Sequence, residues 1–392
     1  MNRKIPLGIT IGLLVFALAI SSVITAGVIT RQYDSLLGGM PEKLERFGIV
    51  DELDDIINAN YYGRSDVEDL ERALAQGYVQ SLTDENSVYM TASEYKTYLS
   101  EKDGKISGIG IAYKKTAECY LELTAVKKSS PAYAEGLRKG DIIIGFDGII
   151  LDAENYSEMT ARLVDDKLSS INIIYRRGDT ETSVSVSKGY EAVSVSTSFY
   201  ENVGYIEISD FYPSTAAQVE QAINKFTSSQ IDAIVIDLRD NSSYNYDAAM
   251  EILDIFVPMS DSKRPAATVV DADGKTVKTY TTTAGEINLP VGVLVSDSTR
   301  QAAELFACNL RDFGKAVIFA EKTSGGSAVV TEAFVLSEGS AVLLTTGKVL
   351  PHSGVSFDGT GIEPDYLLEK AAPSKEISED GQFLFAVSVL TE

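Results

Sequence analysis

Apolar residues change their spacing several times along this chain, and each change marks a new element. Ile9 to Val28 is apolar apart from scattered Ser, Thr and Gly, which is long enough to span a bilayer. From residue 31 to about 102 the spacing turns helical, most clearly in IVDELDDIINAN and VEDLERALAQGYVQSL. Short strand-like runs then fill residues 103 to 190, interrupted by NYSEMTARLV (Asn155–Val164), which predicts a helix. From residue 191 to the end, strands and helices alternate. A strand and a helix lie within Gly204–Phe226, and IVIDLR is apolar enough to be buried on both faces. PVGVLVSDS predicts a buried strand. QAAELFACNLRDFG follows as a helix with Ala303, Phe306, Ala307 and Leu310 on one face and Gly314 at its stop, and KAVIFAE is the next strand. A further strand is expected at Ala341–Thr346 and a last amphipathic helix at GQFLFAVSVL. The whole reads as multidomain α/β.

Composition narrows the setting. With 392 residues, 44% of them hydrophobic, the chain can build several real cores. A net charge of −23 argues against nucleic-acid binding and against electrostatic docking on anionic lipid. Arg3 and Lys4 precede a stretch, Ile5 to Thr30, without a charged residue. That predicts a single-pass anchor at 6–30 in the cell membrane, with residues 1–5 cytoplasmic and the bulk extracytoplasmic. Ala26 and Gly27 near its end leave open a cleaved signal peptide and a secreted product. Cys119 and Cys308 fall in different predicted domains and read as free thiols. His352, the single histidine, has no partners at ligand spacing, so neither a metal site nor a cofactor is expected.

Candidate chemistry concentrates between Pro290 and Val330, where strand, turn, helix, strand and Gly-rich loop succeed one another. Such a layout exposes a helix entry beside a loop, the usual setting for a nucleophile and an oxyanion site. This stretch resembles the C-terminal processing peptidases, or tail-specific proteases, which are serine peptidases with a Ser-Lys dyad. The family pattern Asn-x-x-Ser-Ala-Ser-Ala-Ser-Glu-Ile, a helix, then Gly-Glu-x-Thr-Phe-Gly-Lys-Gly-Ser-Val-Gln fits without a gap, with Glu304 and Glu321 on family glutamates. The resemblance implies that Ala303 occupies the nucleophile's position, Gly326 that of the base lysine and Val330 that of the glutamine orienting it. A methyl group cannot supply a nucleophile, and the dyad needs a desolvated amine. Nearby Ser298, Ser324 and Ser327, with Lys322 as base, are the fallback candidates for a rearranged site; as plain turn residues their hydroxyls would cap helices and close loops.

Three further motifs extend the resemblance from about residue 40 to the C-terminus. DENSVYMTASEYKTYL resembles the element that precedes the PDZ domain in these peptidases, a helical cap or dimerisation segment. Ser107-Gly108-Ile109-Gly110-Ile111 resembles the carboxylate-binding loop of PDZ domains, and SSPAYAEGLRKGDIIIGFDG their most recognisable run. Glycines let consecutive N–H groups converge on an anion, and the strand after them offers an edge to a peptide C-terminus. Met159 and Leu163, one turn apart in the Asn155–Val164 helix, are expected either at the ligand or in the core. IDLRDNSSY resembles Leu-Asp-Leu-Arg-x-Asn-Pro-Gly-Gly, with Asn241 kept and the oxyanion glycine loop replaced by Ser242, Ser243 and Tyr244. PHSGVSFDGTGIEPD resembles the family's closing motif.

The resemblance implies a helical segment (31–102), a small β-rich α+β PDZ domain (103–190) and an α/β core of the ClpP/crotonase-like kind (191–392). The function expected is a membrane-anchored pseudopeptidase that binds peptides or protein C-termini, or that pairs with an active homologous peptidase and regulates it. The alternatives are an active serine endopeptidase with a rearranged site and a structural envelope scaffold. A homo-oligomer is a further expected partner.

Overall fold

The computed structural model describes residues 40–63, 67–127, 130–163, 165, 168–257, 262–282, 285, 287–368, 374 and 376–392. The anchor expected at 6–30 lies outside them; among the described residues no helix is long and apolar enough to cross a membrane. The chain divides into two compact units, 1–73 and 74–392. In the first, the described part is the helix Met40–Asn60 and the opening of the helix Val67–Gln80.

In the second unit, a six-stranded sheet of residues 195–367 orders its strands Val195–Tyr200, Val203–Ile208, Ala233–Asp237, Val291–Leu294, Ala316–Ala320 and Tyr366–Leu367. The first pair is antiparallel and every later pair parallel. Period-two alternation separates its faces: Ile234 and Ile236 pack with the helices Thr215–Ser228, Tyr246–Phe256 and Ala302–Asp312, while Ala233 and Val235 pack with Phe383 and Ala386 of the last helix, Gly381–Thr391. A strand buried on both faces must be apolar at every position, as AIVI is. Arg239 ties that last helix down through Asp237 (2.5 Å), Asp380 (2.7 Å) and Gln382 (3.0 Å).

A second sheet joins Val88–Met90, Ala341–Pro351, Arg264–Val270 and Thr276–Thr282, with Val329–Val335 also paired to Ala341–Pro351. The expected strand at Ala341–Thr346 therefore runs on to Pro351, and the hairpin Arg264–Thr282 is an element the hydrophobic spacing had not announced. Its exposed Thr- and Lys-rich second strand carries little periodic signal. Thr91 and Glu94 cap the helix Ala92–Lys102 reciprocally, as Ser/Thr-x-x-Glu does.

Residues 105–191 form a small β-rich lobe whose entering and leaving segments, Lys105–Ile106 and Tyr190–Glu191, pair with each other. Its sheet is ordered Ile111–Lys115, Leu121–Val126, Ile142–Phe146, Ser170–Arg177, Thr180–Ser187, with Ile149–Ile150 paired to Ile142–Phe146. Leu121, Leu123, Ile143, Phe146, Ile171 and Ile173 fill its own core. Met159 and Leu163 belong to that core, 2% and 5% exposed.

Candidate active site

The helix Ala302–Asp312 leaves the strand Val291–Leu294 through a sharp turn at Gln301, whose φ of 55° and ψ of −113° lie in a region non-glycine residues avoid. Strained strand-to-helix turns of this kind display the nucleophile in hydrolases. Ala303 is not that residue. It is fully buried in the core, so a side chain there points inward, and Gln301 holds the displayed position instead. The signal for this was backbone strain, which residue spacing does not carry. An amide is no better a nucleophile than a methyl group.

The N–H groups that would face an oxyanion are already engaged. Ala302 N–H, next after the displayed residue, donates to the Ser243 carbonyl at 2.8 Å, and Arg300 N–H donates to the Asn241 carbonyl at 3.0 Å. Ser243 N–H donates to Asn241 Oδ1 at 3.0 Å, and Asn241 Nδ2 to the Ile208 carbonyl at 2.9 Å. Ser242 is exposed. Tyr244, in the place of a family glycine, stacks on Tyr98 at 5.9 Å between ring centroids, and Tyr98 stacks on Tyr95 at 6.2 Å. Burial, with Tyr98 alongside, pushes the Tyr244 phenol up to about 12. The loop is thereby clamped to the helix Ala92–Lys102.

Glu304 organises the opposite wall. Its carboxylate accepts from Ser324 Oγ, Gly326 N (2.7 Å), Ser327 N (2.8 Å) and Gln301 N (3.0 Å), all while fully buried. Burial pushes its carboxyl upward against the pull of these donors. Gly326 has φ 73°, and a Cβ there would sit 2.8 Å from Gly361 N and 3.1 Å from Thr360 N, both backbone atoms. No lysine fits this loop without moving it. Val330 lies in the strand Val329–Val335, paired with Gly347.

The fallback residues do not assemble. Lys322 is 67% exposed and paired with Asp297 at 3.0 Å, and that hydrogen bond moves its ammonium upward, away from what a neutral base requires. Ser298 is exposed, while Ser324 is buried between Glu304 and the Ile362 N–H that donates to it at 2.7 Å. Ser327 is held through its N–H by Glu304. Among the described residues no hydrogen bond joins Lys322 to any of the three serines. Ser298 and Lys322 instead line a polar cavity of about 700 Å³ at the C-terminal ends of the parallel strands, with Asp237 and Arg239. No cluster of metal-ligating side chains occurs among the described residues.

In the small lobe, Gly108 (φ 92°) and Gly110 (φ 79°) turn the backbone between strands. The carbonyls of Gly108, Ile109 and Gly110 accept from Gly189, Ala132 and Lys127 respectively. Their three N–H groups find no acceptor among the described residues. Ile109 is 2% exposed, and unpaired N–H groups at buried positions are rare. Ser107 and Gly108 open on a cavity of about 390 Å³. Ile111 starts a strand that, among the described residues, pairs on one side only, with Leu121–Val126.

Comparison with known proteins gives this geometry a family context. Residues 202–368 match the model of Peptidase family S41. The chain is 28% identical over 312 residues to a probable CtpA-like serine protease of Staphylococcus haemolyticus, covering 79% of this chain and 62% of that relative. It is 25% identical over 363 residues to one of Staphylococcus aureus strain COL, covering 92% and 72%. The chain thus spans less than two thirds of the first relative's length. In fold it is similar to the photosystem II D1 C-terminal processing protease, with a TM-score of 0.51, 18% identity and coverage of 82% and 87%. A putative S41 protease of Bacteroides fragilis gives 0.50, 18%, 85% and 91%.

Proposed function

Since the chain belongs to the C-terminal processing peptidase family, S41, we propose that it is a pseudopeptidase of that family, one that binds peptides or protein C-termini without cutting them. The observation that carries this reading is the Ala302 N–H held by the Ser243 carbonyl beside a displayed Gln301. Tetrahedral intermediates need such an N–H free and aimed at the developing charge; losing one donor alone costs about a hundredfold or more. The backbone packed against Gly326 closes the space a base lysine would need. Binding is assigned to a PDZ domain at 103–190 through Gly108, Ile109 and Gly110. The apolar run at 6–30 anchors the chain in the cell membrane with its bulk outside the cytoplasm. An active relative that the protein regulates is the partner class this implies.

The test incubates the purified full-length chain with an unfolded protein and with fluorescent peptides bearing free C-termini, following cleavage and anisotropy together. Binding without cleavage is expected. Turnover that disappears in Lys322→Ala would replace this reading with a rearranged active site.

A further inference from the structure

The helix Tyr156–Ala161 and the turn after it meet the glycine loop at one end and the strand Ile111–Lys115 at the other. At one end the Leu163 carbonyl lies 3.3 Å from where a Cβ on Gly108 would be, so the helix finishes beside the glycine loop. At the other end Lys115 Nζ sits 4.0 Å above the Tyr156 ring. Ile111 and Tyr156 both pack on the lobe's core and flank the groove proposed between them. Tyr113, on the same strand, is 40% exposed. The groove is apolar at its loop end and aromatic and cationic at its far end.

A peptide added antiparallel to Ile111–Lys115, its carboxylate on the N–H groups of 108–110, runs toward Lys115 as it goes upstream. Strand rise is about 3.3 Å per residue, so the side chains three and four positions before the terminal residue arrive at Lys115. Its neighbour Lys114 is tied to Glu122 at 3.0 Å. Among the described residues no carboxylate lies within ion-pair distance of Lys115, and a cation over an aromatic face keeps donors free on its other side. On a chain of net charge −23, an uncompensated lysine at the end of a peptide groove is a local reversal of sign.

We propose that Lys115, backed by Tyr156, selects C-terminal peptides carrying an acidic residue three or four positions before an apolar terminal residue. This rests on the peptide-binding reading above. A lysine at those positions meets repulsion where glutamate meets attraction, and the swing between the two is worth about tenfold in Kd.

The experiment measures anisotropy of the full-length protein with labelled decapeptides ending in valine. One series has Glu at both the third and fourth positions before the valine, a second has Lys there, and a third is the Glu peptide amidated at its C-terminus. The Glu peptide is expected to bind about tenfold tighter than the Lys peptide, and Lys115→Glu to reverse that order. An unchanged preference in Lys115→Glu overturns the assignment of Lys115. If free-carboxylate peptides bind but charge makes no difference, the selectivity is wrong and the groove stands. If amidation makes no difference either, or nothing binds, the peptide-binding reading fails with it.

Discussion

The Ser243 carbonyl accepts the Ala302 N–H at 2.8 Å, which fastens the loop of Asn241–Tyr244 onto the entry of the helix Ala302–Asp312. Two consequences meet there. The donor nearest to any oxyanion is already satisfied, and the loop that in the family is built of glycines cannot withdraw without breaking the Tyr244–Tyr98 stack. Restoring the dyad by side chain alone should therefore fail. Gln301→Ser with Gly326→Lys is expected to show no cleavage of an unfolded protein above background, and turnover in that double variant would show that the loop yields readily.

Glu304 predicts the largest single loss of stability. Glu304→Ala leaves Ser324 Oγ and the N–H groups of Gln301, Gly326 and Ser327 without their shared acceptor in a buried place. At about 1–3 kcal/mol for each buried unsatisfied group, and with some water admitted, the cost should reach about 3 kcal/mol or more. Urea unfolding followed by tyrosine fluorescence measures it. A change below about 1 kcal/mol would mean that the loop finds other partners.

Much of this was legible in the residues and some was not. The parallel sheet announced itself because strand segments such as AIVI are apolar at every position, a pattern with few other readings. The missing side chains were legible against the resemblance, which puts the nucleophile's position at Ala303, whereas the strained turn lies two residues earlier, at Gln301. Chemistry-bearing residues are easy to count when present, whereas a degenerate site leaves only the φ of its turn, which no side-chain pattern encodes. The plug at Ser243 was equally hidden, being a carbonyl that every residue carries. Met159 and Leu163 were ambiguous because helical spacing marks an apolar face without saying what covers it.

The stack of Tyr98 on Tyr244 should be measurable as a coupling. The rings are 5.9 Å apart and 14° from parallel, and such pairs contribute about 0.5–1.5 kcal/mol beyond their burial. A double-mutant cycle of Tyr98→Ala and Tyr244→Ala is expected to give a coupling in that range. Hydrogen exchange in residues 241–245 should rise equally in both single variants, because either one releases the same clamp. Strictly additive losses would show that helix and loop are held apart from one another.

Asp84 sets an acid limit on how the segment before the small lobe is attached. Burial raises its carboxyl, but hydrogen bonds from Ser87 and Asn86 outweigh that and hold it at about 2, below its ordinary 3.8. Ser87 in turn accepts from Thr345 N–H at 3.1 Å, so the carboxylate secures the turn against the strand Ala341–Pro351. A depressed carboxyl contributes stability that is fully present above the unfolded value and is lost as pH falls through the folded one. The contribution should therefore be constant from neutral pH to about pH 5 and vanish between about pH 4 and pH 2. Asp84→Asn removes it at every pH. The stability gap between the unmodified protein and this variant, measured by urea unfolding at successive pH values, should be level above pH 5 and close below pH 4. A gap that stays open at pH 2 would mean that shape, and not the ionised carboxylate, holds the turn in place.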